Sequence, residues 1–244
     1  MVSGPYILLH VKIYLVLSVA YCNHLLYIRP NSPASEQERQ DHDRRRRHLN
    51  FLSNLGLSLT TLWVAAVYFV ALCDVYITSC QLLPALIIPP VYSSITSGTG
   101  VVRLTPTFLI GCAMVYAGTY LRLLCFRTLG KFFTFELAIR KDHKLCTSGP
   151  YAVVRHPSYT AILGVSAGLS ICYFSDGSVW AARKVGETSV GRAVEYFWIA
   201  VQILTVPTMF TRMKSEDMVL KENFGDEWVM WCKKTPYKLI PDVY

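Results

Sequence analysis

The chain has 244 residues, of which 52% are hydrophobic and only 16% are charged, and its mean hydropathy is +0.33. Soluble domains usually carry about a quarter of their residues as charged side chains, so this composition excludes an ordinary soluble domain and predicts a protein embedded largely in lipid. The formal net charge is +8, but the basic residues cluster in loops between apolar runs, which is typical of anionic membrane surfaces and argues against nucleic acid as a partner.

The cysteines and histidines do not form a pattern typical of a metal centre. The eight cysteines lie mostly inside or beside apolar runs, none of them form a Cys-x-x-Cys pair, and no histidine joins them at zinc-ligand spacing. We therefore expect free thiols that pack as small apolar side chains, and no bound metal. The glycine-rich dinucleotide fingerprint, the P-loop, HExxH and GxSxG are also absent from the sequence.

Long apolar runs predict that the chain crosses a membrane several times. A helix needs about 20 apolar residues to span the hydrocarbon layer, and the candidate spans are Pro5–Leu26, Phe51–Cys73, Leu104–Phe126, Pro157–Phe174 and Ala193–Phe210. No basic residue precedes Lys12 in the first run, which favours a span over a cleaved signal peptide. We predict that Asp74 ends the second span and that Arg122 extends from the third towards the membrane interface.

The stretch Tyr76–Tyr92 leaves the topology open. It is apolar but contains three prolines, so it is either a kinked sixth span or a segment that does not cross. The loop Arg127–Arg155 carries six basic residues against two acidic ones, and the positive-inside rule predicts that it is cytoplasmic. The basic linker around Arg44–Arg47 shares that side only if Tyr76–Tyr92 does not cross.

The last two spans are joined by a short polar connection, which predicts a helical hairpin. The hairpin returns the chain to its starting side, so the polar stretches Lys144–Tyr159 and Arg212–Tyr244 are expected on one membrane face. We predict an all-α polytopic membrane bundle of five or six spans, in which these two stretches form a cytoplasmic pocket for a small charged cofactor.

The loop stretch contains two turns that suit a ligand. Gly149 permits a tight turn with the backbone close to a ligand, and Tyr151 offers an aromatic face and a hydroxyl. Pro157 fits the first turn of a helix, whose free N–H groups and positive dipole end suit a carboxylate or phosphate. His156, directly before it, can donate or accept hydrogen bonds.

Four further residues are candidates on weaker grounds. Arg212 and Glu216 lie four residues apart on one face of a predicted helix. They either pair with each other, or Glu216 binds ribose hydroxyls or an amino group while Arg212 binds a carboxylate through two hydrogen bonds. Glu136 lies in an apolar stretch, where an acid needs a partner. A single histidine such as His143 is more often structural than functional.

The stretch HKLCTSGPYAVVRHPSY resembles the cofactor-binding core of the isoprenylcysteine carboxyl methyltransferase family, where a His-x-Leu-Val-x-x-Gly-x-Tyr pattern precedes Arg-His-Pro-x-Tyr. The upstream stretch LGKFFTFELAIRKDH is similar to fungal-type members. A downstream motif is similar to the family's C-terminal signature: Arg212-Met-Lys-Ser-Glu216-Asp217, Leu220, Phe224-Gly225, Trp228, Thr235-Pro236 and Ile240-Pro241. The two motifs agree in order, so the resemblance covers roughly Leu104–Pro241, and residues 1–95 match only as apolar spans.

The resemblance implies an enzyme of the endoplasmic reticulum membrane that uses S-adenosyl-L-methionine and whose active site faces the cytoplasm. It would methylate the C-terminal carboxylate of the prenylated cysteine in CaaX proteins, with membrane lipid as the other partner. Residues 1–95 would form N-terminal spans, and residues 96–244 would form the methyltransferase core.

Carried over residue by residue, the resemblance implies a cofactor pocket closed by Glu216 and lined by Glu136, His143, Lys144, Leu145, Cys146, Tyr151, His156, Pro157, Ser158 and Tyr159. Arg212 would bind the substrate carboxylate, which makes Arg212 and Glu216 the expected catalytic residues. Three positions depart from the family pattern. Glu136 lies where the family often has an amide, Cys146 replaces an aliphatic residue, and Asp217 replaces a second Glu.

Three other functions compete with this interpretation. A phospholipid or other small-molecule methyltransferase of the same superfamily fits the same motifs. An NADPH-dependent sterol reductase resembles the chain around Arg-His-Pro-x-Tyr, but such proteins usually have more spans and more positive charge for the nucleotide phosphate. A non-catalytic membrane scaffold would not need both Arg212 and Glu216.

Overall fold

The computed structural model describes residues 4–32, 47–135, 139–140 and 142–244, without the side chains of residues 4–6, 47–58 and 85. Two sequence predictions concern residues outside this set. Glu136 lies outside the described residues, and so does most of the basic linker, including Arg44–Arg46.

Helices account for all of the regular structure among the described residues, which confirms the all-α prediction. They are α1 (Gly4–Leu25), α2 (Arg47–Leu82), α3 (Pro89–Ile95), α4 (Pro106–Leu129), α5 (Pro157–Phe174), α6 (Val179–Ala182), α7 (Ser189–Phe224) and α8 (Asp226–Lys234). Short 3-10 turns lie at Pro84–Leu86, Gly130–Phe132, Gly149–Ala152 and Val185–Glu187.

Five of these helices, α1, α2, α4, α5 and α7, are long and apolar enough to cross a membrane. The chain is therefore a multi-pass membrane protein. Helices α4 and α5 begin at Pro106 and Pro157, where the missing proline N–H costs no helical hydrogen bond. The predicted span Pro157–Phe174 matches α5 at both ends.

The prediction that Asp74 ends the second span is wrong, because α2 continues through Asp74 to Leu82. The Asp74 side chain is buried, and the Thr78 hydroxyl donates a hydrogen bond to it over 3.2 Å. A carboxylate inside a membrane helix is tolerated when it faces protein and has a partner. The prediction from length and composition therefore placed the end of this span too early.

The stretch Tyr76–Tyr92 does not form a sixth span. Its first part completes α2, and the remainder holds a 3-10 turn and the start of α3, which has only seven residues and is far too short to cross a bilayer. Two spans, α2 and α4, therefore separate the linker before α2 from the loop after α4. An even number of crossings returns the chain to the same side, so both basic segments obey the positive-inside rule together.

The chain folds into two compact units, each assembled from separate segments. The first contains residues 1–25, 62–119 and 163–202. Its buried Lys12 donates to the carbonyl oxygen of Gly177 over 2.9 Å and lies 5.2 Å from the ring centre of Phe108. Helices α4 and α5 approach closely here, because a Cβ on Gly111 would lie 2.8 Å from the carbonyl oxygen of Gly168.

The second unit contains residues 26–61, 120–162 and 203–244, which include both predicted polar stretches. The C-terminal segment runs beside the start of α5: the amides of Arg155 and His156 donate to the carbonyls of Tyr237 and Lys238 over 2.9 and 2.8 Å. Helix α7 continues unbroken past the last apolar run, so Arg212 and Glu216 lie on one helix, as predicted. The division into N-terminal spans (residues 1–95) and a methyltransferase core (residues 96–244) stays a prediction.

Candidate active site

The structure brings His156 from the loop stretch and Glu216 from α7 into contact. Their nearest side-chain atoms, His156 Nδ1 and Glu216 Oε2, are 3.5 Å apart. The two residues are 60 positions apart in the sequence, and no local pattern could join them. The two polar stretches therefore meet within the second unit, as the hairpin argument required.

Three side chains surround the Glu216 carboxylate. The Tyr159 hydroxyl donates to Oε1 over 2.5 Å, and Arg212 Nε donates to the same oxygen over 3.2 Å. His156 approaches the other oxygen. Glu216 is 26% exposed and Arg212 is 27% exposed, so the group is sheltered but still reachable from solvent.

Arg212 and Glu216 pair with each other, which was one of the two expected outcomes. Arg212 also donates through Nη2 to the carbonyl oxygen of Phe135. An arginine has five N–H donors in a rigid fork, so these two contacts fix the plane of the guanidinium. A guanidinium held in one plane is suited to recognise a carboxylate.

His156 lies between two carboxylates. Its Nε2 atom is 3.0 Å from Asp217 Oδ1, opposite the contact with Glu216, and the ring is only 5% exposed. Burial by itself would lower the pKa of His156, but the hydrogen bonds to Asp217 and Glu216 and their negative charges outweigh it. The pKa therefore lies above its ordinary value, which favours the charged form of the histidine.

Asp217 was missed as a site residue by the sequence analysis. Besides His156, it lies 3.8 Å from Arg155 and 3.9 Å from Lys238. Its place in the C-terminal signature, directly after Glu216, was its sequence signal, whereas Lys238 gave none. Since this carboxylate ties the start of α5 to the C-terminal segment, we assign it a positioning role.

Pro157 and Ser158 are both buried at the start of α5. The Ser158 hydroxyl accepts a hydrogen bond from Arg122, a residue that the sequence analysis had placed at the membrane interface. That expectation is wrong, because Arg122 is buried to 5% exposure.

Leu145, Cys146 and Tyr151 pack in a neighbouring cluster around Cys125 and Trp231. The indole of Trp231 donates to the carbonyl oxygen of Tyr151 over 3.1 Å. Burial, and then the nearby Cys125, raise the pKa of Tyr151 well above its ordinary value, so its hydroxyl stays protonated and available as a donor. The predicted pocket residue Lys144 is exposed.

His143 does not join the Glu216 group. Its ring stacks on Phe132 with centres 4.7 Å apart and meets Phe224 edge-on at 5.7 Å. Burial, followed by the charge of Arg140, lowers the pKa of His143. Its Nδ1 atom is buried without a hydrogen-bond partner among the described residues, and a ligand donor is one group that would satisfy it.

Comparison with known proteins is informative for the middle of the chain. The sequence model of the isoprenylcysteine carboxyl methyltransferase (ICMT) family matches residues 109–176. This segment is therefore similar to the ICMT family. It contains most of α4, the loop with His143 and His156, and α5. Arg212 and Glu216 lie beyond it.

Three curated relatives match a longer part of the chain, but only about half of it. Protein-S-isoprenylcysteine O-methyltransferase B of Arabidopsis thaliana is 28% identical over 128 residues, which is 52% of this chain and 55% of that protein. Probable protein-S-isoprenylcysteine O-methyltransferases of Oryza sativa subsp. indica and subsp. japonica are each 28% identical over 127 residues, covering 51% of this chain and 56% of theirs. The chain thus spans about half the length of the curated relatives it matches.

The raised pKa of His156 predicts a specific dependence of stability on pH. Its contribution to folding is fully present below the ordinary pKa of 6.5 and is lost as pH rises through the higher pKa of the folded state. The melting temperature of the detergent-purified protein should therefore fall above pH 6.5, and this fall should be reduced in His156→Gln.

His143 does not interfere with this measurement. Its pKa is lowered, so any change in stability caused by its titration occurs at pH values below 6.5. Equal slopes above pH 6.5 for the parent and His156→Gln would contradict the assignment.

Proposed function

We propose that the protein transfers the methyl group of S-adenosyl-L-methionine to the C-terminal carboxylate of prenylated cysteine in CaaX proteins. The observation that supports this most is the meeting of His156 and Tyr159 with Arg212 and Glu216 in one sheltered polar group. This group joins the ICMT family segment to the C-terminal stretch that resembles the same family. The names of the curated relatives agree with this substrate class.

The proposed reaction makes modest demands on acid–base chemistry. Transfer of the methyl group from the sulfonium sulfur to a carboxylate oxygen of the acceptor would yield a methyl ester and S-adenosylhomocysteine. The cofactor supplies the activated methyl sulfonium, and no proton has to be removed from the acceptor. Orientation of the two reactants and exclusion of water are then the main contributions of the protein.

The polar residues divide these tasks. Glu216 would accept hydrogen bonds from the amino group or the ribose hydroxyls of the cofactor. Arg212, fixed in its plane by Glu216 and Phe135, would hold the acceptor carboxylate. His156 and Tyr159 would keep Glu216 ionised and in place, since both lie within hydrogen-bonding reach of it.

The second unit also suits a substrate with one apolar and one charged end. Its polar group lies on segments that directly adjoin the membrane-spanning helices α5 and α7. A prenyl chain could therefore approach from lipid while the nucleoside approaches from water. The basic segments on this side support a cytoplasmic orientation, and we propose the endoplasmic reticulum as the membrane by family resemblance.

Ligand binding separates the methyltransferase from the reductase. The detergent-purified protein should bind S-adenosylhomocysteine, measured by calorimetry or by ligand-induced thermal stabilisation, and should not bind NADPH. Binding of NADPH without S-adenosylhomocysteine would reject the proposal in favour of a reductase. Methyl-transfer assays with farnesylcysteine and phospholipid, run side by side, then distinguish the two methyltransferase alternatives.

A further inference from the structure

The first unit contains a recess beside the connection between α5 and α7. The recess holds about 390 Å³ of empty space, counting its open mouth. Its described lining is mainly apolar apart from the carboxylate of Asp74 on α2 and the hydroxyl of Tyr173 on α5. Phe69 and Val190 also line it and are 48% and 39% exposed. In a multi-pass membrane protein such exposed apolar side chains face lipid, so the recess opens towards the bilayer.

Tyr173 offers a hydrogen-bond donor in this recess. Its side chain is 1% exposed, and its ring meets Trp198 edge-on with the ring centres 6.0 Å apart. The Tyr173 hydroxyl has no hydrogen-bond partner among the described residues. Leaving a buried hydroxyl unpaired is costly, so an acceptor that a ligand brings to Tyr173 would bind favourably.

Asp74 offers a hydrogen-bond acceptor in the same recess. It is 4% exposed, and its Oδ1 atom accepts a hydrogen bond from the Thr78 hydroxyl over 3.2 Å. Lys12 lies near enough for its charge to act on Asp74, although its amine donates to the carbonyl oxygen of Gly177 over 2.9 Å. Because Lys12 already supplies a positive charge nearby, a ligand does not have to be a cation, and a neutral donor is sufficient for Asp74.

We propose that this recess binds the hydroxyl of a lipid alcohol, which accepts a hydrogen bond from Tyr173 and donates one to Asp74. A hydroxyl can do both, whereas an ammonium group has donors only and would leave Tyr173 unpaired. An ionised carboxylate has acceptors only and would offer nothing to Asp74. The apolar walls and the open mouth suit the hydrocarbon next to the hydroxyl, and the rest of the lipid stays in the bilayer.

The lipid-alcohol site is separate from the proposed methyl transfer and does not depend on it. Tyr173 is the last residue but one of α5, whereas His156 directly precedes the first residue of that helix. The reacting end of the proposed acceptor is a carboxylate, which is a head group that this recess fits poorly. Sterols and long-chain alcohols share the required hydroxyl, and the experiment distinguishes between them.

The test uses photoreactive lipids and the full chain in phosphatidylcholine vesicles. Three probes each carry a diazirine and an alkyne tag: a long-chain alcohol, its methyl ether and a sterol. The ether keeps an acceptor for Tyr173 but has no donor for Asp74, so it tests the Asp74 contact without a substitution. Tyr173→Phe removes the other contact. Tyr196→Phe is its control, because Tyr196 is 68% exposed and lies outside the described lining.

Mass spectrometry of the digested protein should find the alcohol probe on the peptides of α2 and of the α5–α7 connection that line the recess. Labelling of these peptides should be roughly fivefold weaker with the methyl ether and in Tyr173→Phe, which corresponds to the loss of one hydrogen bond. Tyr196→Phe should match the parent. Labelling by the sterol probe with the same dependence on Tyr173 identifies a sterol as the occupant, and labelling by the long-chain alcohol alone identifies an acyclic alcohol.

A thermal melt without added alcohol shows whether Tyr173→Phe is folded. The removed hydroxyl has no partner in the described part of the protein, so the variant should melt no lower than the parent. Added long-chain alcohol should raise the melting temperature of the parent and of Tyr196→Phe more than that of Tyr173→Phe.

Three outcomes would overturn the lipid-alcohol site. The first is a parent protein whose recess peptides carry no label. The second is equal labelling by the alcohol and its ether, or of the parent and Tyr173→Phe, because apolar contact alone would then explain the label. The third is displacement of the label by farnesylcysteine, because the recess would then belong to the acceptor site. Binding of S-adenosylhomocysteine tests the proposed function separately and is not a readout here.

Discussion

Arg212→Ala should lower kcat/KM for a farnesylcysteine acceptor roughly 100-fold or more, because a contact to a charged group contributes up to about 3 kcal/mol. Much of this loss should appear as a raised KM if Arg212 binds the acceptor carboxylate in the ground state. Initial rates of methyl transfer over a range of acceptor concentrations measure both terms. Arg212→Lys retains the charge but loses the planar fork, so it should recover only part of the activity.

Lys214→Ala is the matched control for this experiment. Lys214 lies on the same helix two residues away and is exposed, so removing it changes the net charge by the same amount without changing the group around Glu216. Its kcat/KM should stay within about twofold of the parent. Unaltered turnover in Arg212→Ala would disprove the carboxylate-binding role.

Glu216→Gln should weaken binding of S-adenosylhomocysteine roughly 10- to 100-fold, corresponding to the loss of one charged hydrogen-bond acceptor of about 1.5–3 kcal/mol. Two effects contribute. The proposed contact with the ligand becomes weaker, and Arg212 and His156 lose the charge that orients them. Calorimetric titration of the detergent-purified variants measures the change directly.

Glu222→Gln provides the comparison on the same helix, since Glu222 is an exposed carboxylate and its amide variant should bind the ligand normally. A thermal melt of Glu216→Gln without ligand is needed beside it, because the removed carboxylate also pairs with Arg212 inside the protein. A folded Glu216→Gln protein with full affinity for S-adenosylhomocysteine would exclude the assigned contact.

The sequence predicted the helical architecture well wherever composition alone was sufficient. The uncharged run Pro157–Phe174, bounded by a proline and a polar turn, became α5 with the same ends. Composition was insufficient at Asp74, because a charge in an apolar run ends a span only if it faces lipid. Which way Asp74 faces depends on its contact with Thr78 and on burial, and neither is encoded locally.

Which of the two basic segments share a side of the membrane also followed from the sequence once the crossings were counted. Basic residues indicated the side, but the prolines of Tyr76–Tyr92 allowed two counts. Among the described residues, five helices are long and apolar enough to cross, and the helix after the first of those prolines has only seven residues. The count without a sixth span is therefore the correct one. A proline shows where a helix is interrupted, but not whether the remaining segment is long enough to span.

At the candidate site, the sequence by itself determined which residue types are present and that His156 and Glu216 belong to stretches on the same membrane face. Only the tertiary structure decided which atoms meet: it added Asp217 and Lys238 to the group, left His143 among aromatic rings, and buried Arg122 beside Ser158. The physical reason is that periodicity and hydropathy describe each helix separately. Ion pairing and burial depend on the distances between helices, which are set by packing across the whole unit.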